Sequence, residues 1–298
     1  MAAIHCSIGV IVYNEAGNIA KLLRSLQSQK LDKVLIDKII VVSSACSDGT
    51  DDIVREFCLA DDKIQLIAEP ERKGKSAAIN SFIAAADSEI LIIESGDTLP
   101  APDTVEKMVG IFEDEKIGMS GGRPVPENCP RTTIGKSVQL LWELHHRMAL
   151  KSPKLGEMVA FRNVIEQIPE KSAVDEASVE AIIREQGYEL CYLPDALIYN
   201  KGPENFKEFI SQRRRIESGH LWLKKQQSYT VSSQNGMLLL QLGFDHIMRK
   251  PHDLPYVIIT AVVEIYSRCL GWWDLNVLKK NPFKWDIAHT TKKMQRNQ

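Results

Sequence analysis

The sequence predicts an α/β fold with a mainly parallel central sheet, followed by a helical C-terminal region. Three observations carry this. Apolar runs near 4–12, 38–43, 63–68 and 89–94 read as strands buried on both faces. Helical patterns near 15–29, 50–60 and 75–86 separate them, and this is the alternation of βαβ units. After about residue 226 the alternation stops and the apolar segments lengthen.

Each element follows in order. Further strands are expected near 117–121, 157–162 and 189–193, and helices near 103–114, 134–150, 176–186 and 204–225. The chain therefore divides into a sheet domain, 1–225, and a C-terminal helical region, 226–298. In that region Met237–Leu242 is a short apolar run. Pro255–Trp273 is longer and carries Tyr256, Tyr266, Trp272 and Trp273, with Glu264 and Arg268 spaced i,i+4 for an ion pair. Both charges disfavour a lone spanning helix. A surface helix docked on an anionic membrane without crossing it is expected, aided by Lys279, Lys280, Lys284, Lys292, Lys293 and Arg296. The alternative is a soluble appendage packed on the sheet domain.

With 298 residues, 44% hydrophobic and 26% charged, the chain can bury a sizeable core, which excludes wholesale disorder. Its net charge of −2 argues against a generic nucleic-acid partner. Residues 199–225 nevertheless hold seven Lys/Arg against three Glu, and 271–298 hold six against two Asp, so the C-terminal third should meet something anionic. Six cysteines are scattered without a CxxC pair, which disfavours zinc ribbons and redox motifs. Cys6, Cys58 and Cys191 lie in apolar runs and read as small buried thiols in a reducing compartment. The first twelve residues lack the pattern of a signal peptide, so a cytoplasmic protein, peripheral on the membrane face, is expected.

In a parallel sheet the ligand site lies beyond the C-terminal strand ends. The first strand ends in Tyr13-Asn14-Glu15, where Asn14 suits a helix cap. The second ends in Ser43-Ser44-Ala45-Cys46-Ser47-Asp48-Gly49-Thr50, a turn and helix start. Arg72-Lys73-Gly74-Lys75 is a basic turn before a helix, either a phosphate site or solvated surface. The fourth strand delivers Glu94-Ser95-Gly96-Asp97, where a carboxylate can hold a hard cation. Strand alternation points Glu94 away from the face that Ser95 occupies.

Taken as an ordered set, 13–15, 41–50, 74–80 and 95–97 resemble the motifs of glycosyltransferase family 2. Gly121-Gly122-Arg123-Pro124, Asp175-Glu176 and Gln212-Arg213-Arg214-Arg215-Ile216 continue the likeness over about residues 5–222. The resemblance implies a GT-A nucleotide-sugar domain and inverting transfer of a sugar from a nucleotide diphosphate to a saccharide or lipid-linked acceptor. It implies that Tyr13, Glu15 and Lys75 line the nucleotide pocket, and that Ser44 stands where the family has a base-reading aspartate. Asp97 would hold Mg²⁺ or Mn²⁺. Arg123 would approach the diphosphate, and Gln212, Arg214 and Arg215, with Arg213, would meet the acceptor channel or leaving group. The family's base is the second acid of a pair about eleven residues before a helix-ending glycine, here Gly187, so the resemblance implies Glu176 as the base, with Asp175 a positioning neighbour. Ser95 replaces the first aspartate of Asp-x-Asp, so His220 is weighed as an added ligand against a structural role. His145 and His146 are expected to pack, and 156–162 to form a strand lining the acceptor site. Two other readings remain open: a nucleotide-sugar-binding protein without catalysis, and a sugar-1-phosphate nucleotidyltransferase, whose glycine-rich first loop is missing here.

Overall fold

The computed structural model describes residues 3–280, 283 and 289–291. Its strands are β1 (Ile4–Val12), β2 (Val34–Ser44), β3 (Ile64–Glu69), β4 (Ile90–Ser95), β5 (Thr98–Pro100), β6 (Ile117–Pro126), β7 (Val159–Arg162) and β8 (Glu189–Asn200). They form one sheet in the order β3-β2-β1-β4-β7-β6-β8-β5. The β1–β2, β2–β3, β1–β4 and β6–β8 pairs are parallel, and β4–β7, β6–β7 and β5–β8 are antiparallel.

The period-2 geometry of the strands divides the core into two layers. Ile8, Val10 and Val12 of β1 face a cluster with α1 (Ile19–Gln27), α2 (Thr50–Ala60) and α4 (Thr104–Gly110). Ile11, Ile40 and Val42 face the opposite cluster with α3 (Lys75–Ala85) and α6 (Asp175–Glu185). Of the thiols expected to be buried, Cys6 is fully so, while Cys58 and Cys191 are half-buried; all six cysteines are free.

The helical region consists of α8 (Gly236–Arg249) and α9 (Leu254–Asn276), packed against α5 (Thr133–Ala149) and α7 (Phe206–Gln227). The short apolar run at 237–242 is thus one side of a longer helix. A Cβ at Gly271 of α9 would stand 2.5 Å from the Arg214 carbonyl oxygen, so only glycine allows this approach. Ion pairs reinforce the contact. Arg213 grips Glu264 through two bonds of 2.7 Å, and Arg214 grips Asp274 through two of 2.5 Å. The expected Glu264–Arg268 pair is present at 2.9 Å. The outer face stays apolar and open: Ile258, Val262, Ile265, Trp272 and Trp273 of α9 are more than half exposed, as are Met237, Leu240, Phe244 and Met248 of α8. Among the described residues, one segment, Pro251–Asn276, is long and apolar enough to cross a membrane by length and composition, with mean hydropathy 1.3. Lys279 and Lys280 are exposed beyond it. Lys284, Lys292, Lys293 and Arg296 lie outside the described residues.

Candidate active site

The C-terminal strand ends open into a cavity of about 1600 Å³. Tyr13, Glu15, Ser44, Lys75, Asp97, Asp175, Glu176, Gln212, Arg214, Arg215 and His220 all line it. Its first wall is built from loops that brace each other. Asn14 adopts φ +54° and does not cap α1, which begins at Ile19. Its Oδ1 instead accepts from the Ser47 amide at 2.9 Å. The Ala16 amide donates to Asp48 Oδ2 at 3.0 Å, and the Glu15 amide to Thr50 Oγ1 at 2.9 Å. Residues 13–18 are held in a loop by these ties, which is why the helix starts four residues later than its periodicity suggests. Asn18 Nδ2 donates to buried Glu15 at 2.9 Å, and the Arg72 guanidinium lies 4.0 Å from the Tyr13 ring centre. Ser44 donates to Glu69 Oε2 at 2.7 Å, so a carboxylate stands one hydrogen bond behind the serine. Sequence reasoning missed Glu69, because it comes from the next strand.

Gly74 takes φ +115° immediately before α3, a conformation that favours glycine, and this turn directs Lys75 across the cavity. Lys75 Nζ donates to Glu176 Oε1 at 2.8 Å and lies 3.0 Å from Asp175 Oδ2. Burial opposes its charge, yet Glu176 and Asp175 outweigh burial and raise its pKa. The carboxylates themselves differ. Asp175 is buried and also accepts from Ser76 Oγ at 3.0 Å; burial raises its pKa against the pull of Lys75. The Glu176 side chain is 20% exposed against 2% for Asp175. Burial pushes Glu176 up as well, but Lys75 and a backbone hydrogen bond bring it below the usual carboxylate range. One carboxylate is therefore fixed in the wall, and its neighbour is ionised and faces the cavity.

Opposite stands Glu157, unsingled by sequence reasoning beyond its segment. It lines the cavity at φ +63°, a strained position for a residue with a Cβ. Asn200 Nδ2 donates to its Oε1 at 3.0 Å. Burial, Asp97 and Glu176 raise its pKa to about 7. The walls shield its back while one side meets the cavity, so the side chain is only half-buried by surface area. Burial, Glu157 and Asp97 likewise raise Glu94 to about 8, against a hydrogen bond from Thr98. Glu94 does not line the cavity while Ser95 does, as strand alternation predicts. Among the described residues its buried Oε2 has no hydrogen-bond partner. Arg215 lies within electrostatic reach of Asp175, Glu176, Glu157 and Asp97, and burial lowers its pKa to about 10 despite them.

Among the described residues no three His, Cys, Asp or Glu side chains are grouped to hold a metal alone. The donor set fits a hard cation differently. Asp97 offers one cavity-facing carboxylate beside a mutually repelling acidic floor, and Mg²⁺ ordinarily takes one or two carboxylates with water and phosphate oxygens completing its shell.

Several expectations need correction. Arg123 lies outside the cavity lining and faces Glu143 at 3.7 Å, on the flank toward α5. Arg213 and Arg214 are committed to Glu264 and Asp274 of α9, which leaves Arg215 as the member of the triplet turned to the carboxylates. His220 is buried, and Lys154, Arg213 and Arg268 surround it electrostatically, so burial and these cations hold it neutral in a setting that repels a metal ion. The strand at 159–162 is sandwiched between β4 and β6; of this stretch the residues before it, Lys154 to Glu157, reach the cavity. His146 packs as expected, with Nδ1 2.9 Å from the Tyr192 hydroxyl. His145 also lines the cavity, and burial lowers its pKa to about 3.

Known proteins resemble this chain in sequence or in fold. The chain is 34% identical over 116 residues to the glycosyltransferase AglE of Haloferax volcanii, covering 39% of this chain and 38% of that protein. It is 26% identical over 233 residues to the probable glycosyltransferase YdaM of Bacillus subtilis, covering 73% and 55%. It thus spans no more than about half the length of these curated relatives. Among solved structures, a mannosyltransferase of Pyrobaculum calidifontis in complex with GDP-Man and Mn²⁺ superposes with TM-score 0.61 at 22% identity, covering 93% of this chain and 81% of that one. Glucosyl-3-phosphoglycerate synthase of Mycobacterium tuberculosis, with Mn²⁺, UDP and phosphoglyceric acid, superposes at 0.52 with 17% identity, covering 74% and 78%. These likenesses give the fold as GT-A. The model of Glycosyl transferase family 2 matches residues 7–169, more than half of the chain, and the chain belongs to that family.

Proposed function

We propose that the protein transfers a sugar, with inversion, from a nucleoside diphosphate to an acceptor hydroxyl. The observation that carries this reading is the pairing of a fixed Asp175 with an ionised, cavity-facing Glu176 across Lys75. As the acceptor oxygen bonds to the anomeric carbon, the bond from that carbon to the phosphate oxygen breaks, and the electron pair leaves with the nucleoside diphosphate. The acceptor proton passes to Glu176, on the face opposite the leaving group. Lys75 keeps Glu176 ionised and oriented. Tyr13, Glu15 and Ser44 form the nucleotide end, and Gln212 borders the acceptor side. Arg215 places positive charge where diphosphate charge develops. Asp97 would hold Mg²⁺ or Mn²⁺, which supplies charge against the phosphate oxygens when bound. The Mn²⁺ and nucleotides named with the two solved neighbours support this choice.

The exposed apolar face of α8 and α9 supports attachment to an anionic membrane surface, without a span. Burial of Glu264 and Arg213 in an ion pair on the inner face fits a helix that has one side on protein.

The test is Glu176→Gln. A neutral amide accepts no proton, so transfer should fall by roughly 10²–10⁴-fold while donor affinity stays unchanged. Full activity in this variant refutes the assignment. Loss of donor binding as well would give Glu176 a structural role through Lys75.

A further inference from the structure

The cavity of about 1600 Å³ is larger than the ~300–1,000 Å³ that ordinarily holds a small molecule. The donor end, around Tyr13, Ser44 and Asp97, occupies one part. The remainder runs between α5, α8 and α9 and is walled by Leu140, Leu144, Leu239, Ile247, Val257 and Ala261. This arm has an entrance. Leu240, Phe244 and Ile265 line the cavity yet are 72%, 64% and 63% exposed, so they stand where it meets the outer apolar face. Lys154, Arg213 and Arg268 line the same cavity, the two arginines paired with Glu264.

Gly243 is the second, independent observation. It sits inside α8 and lines the cavity, and apart from its chain neighbours and α8's own backbone no atom of the described residues lies within 4 Å of where its Cβ would be. Glycine is the second-worst residue for a helix interior after proline. No close contact demands it here; the missing side chain leaves the arm open. Exposed Arg249 and Lys250 at one end of the α8–α9 pair, and Lys279 and Lys280 at the other, suit an anionic lipid surface at the entrance.

We propose that this arm holds a hydrocarbon chain of a membrane-lipid acceptor. The chain enters past Leu240, Phe244 and Ile265, and the lipid's polar end extends along the same cavity to present its hydroxyl to Glu176. This rests on the transferase reading for its purpose, but chain binding is measurable without catalysis.

The probe is cis-parinaric acid, a fatty acid that brightens on apolar burial, titrated in the absence of vesicles into the full chain. Wild type should bind it saturably at one site. Gly243→Phe should weaken binding about tenfold or more by filling the arm, with Gly243→Leu as a smaller plug. Thermal unfolding identifies the folded variants, and helix propensity predicts no loss of stability from either. Val262→Ser, on the outer face and outside the cavity lining, should bind as wild type. No saturable binding to wild type, equal binding by wild type and the folded plugged variant, or an equal loss in Val262→Ser overturns the proposal. Thermal shifts with GDP or UDP plus Mn²⁺ run alongside. If neither nucleotide stabilises wild type, the transferase reading fails while the chain-binding result stands by itself.

Discussion

Glu264 and Glu157 are both carboxylates withdrawn from water, in neighbouring parts of one cavity, and they have opposite electrostatics. Glu264 lies between α7 and α9. Burial would raise its pKa, but Arg213 and Arg268 hydrogen-bond to it and hold it at about 2. Glu157 lies over the strand ends with Asp97 and Glu176, and burial and these like charges raise it to about 7. The first cluster is complete within the chain. The second is short of positive charge, even with Lys75 and Arg215 nearby. A complete cluster holds elements together, whereas an incomplete one is adapted to something that arrives. The following outcomes break or sharpen that contrast.

The largest effect is expected from Glu264→Ala. Removing one partner from a buried pair strands its two arginines, at a cost of about 3–5 kcal/mol. Denaturant unfolding should show this loss, and the double variant Glu264→Ala/Arg213→Ala should recover part of it. A change below about 1 kcal/mol would place the pair with ordinary surface ion pairs. The same reasoning warns against deleting α9 to test membrane attachment, since Arg213 and Arg214 would both lose their partners.

Asp97→Asn should behave in the opposite sense. It removes a negative charge from an overcrowded floor, so stability should hold or rise. Mn²⁺-dependent affinity for a nucleoside diphosphate should fall by about tenfold or more, near 1.4 kcal/mol. Calorimetry that finds the Mn²⁺ dependence intact removes Asp97 from the metal site.

The two clusters also differ in how far the sequence announces them. Tyr13, Lys75, Asp97 and Glu176 were legible because each follows a strand or starts a helix in a local motif. Ser44 was legible but its partner Glu69 was not, since strand neighbours are set by sheet order rather than by sequence distance. Glu157 carries no local signal, because its strain and its neighbours exist only once β7 is inserted between β4 and β6. The triplet 213–215 shows the reverse error. Three adjacent arginines read as one cluster, but helical geometry fans them over different faces, so two meet α9 and one meets the carboxylates. The antiparallel β4–β7–β6 pairings, which depart from the strand–helix alternation, were likewise invisible to periodicity.

A smaller effect should appear in the pH dependence. Glu94 and Glu157 have folded pKa values of about 8 and 7, above the ordinary 4.5. Groups raised in the folded state contribute stability that is full below 4.5 and lost as pH rises through those values. Glu264, lowered to about 2, contributes stability present above 4.5 and lost as pH falls toward 2. Unfolding measured from pH 5 to 9 should therefore show stability already falling from about pH 5 and levelling off above about 8. Glu157→Gln should flatten it, and Mn²⁺ with a nucleoside diphosphate should do the same. A decline identical in wild type and Glu157→Gln would show that Glu157 titrates normally.

The last change concerns the lysines after α9, on the surface and outside both clusters. Lys279 and Lys280 are exposed where the apolar face of α9 ends. Each should add roughly 1 kcal/mol of attraction near an anionic bilayer, because the surface potential acts on charges within a Debye length. Lys279→Gln/Lys280→Gln should thus weaken co-sedimentation with anionic vesicles by about ten- to thirtyfold at low salt, and by less at high salt. Neutral vesicles should not distinguish the two proteins. Trp272→Ser/Trp273→Ser acts on the apolar part instead, since both indoles are 51% exposed; it should weaken binding to both vesicle types at every salt concentration. A salt response that is the same in both double variants would show that charge and apolar contact are not separate contributions. Retention of wild-type protein through carbonate and high salt would place α9 deeper than the surface. In that event the charged inner face of the helix would still need Arg213 and Arg214 against it, so the contrast between a completed and an incomplete cluster would carry over into the membrane.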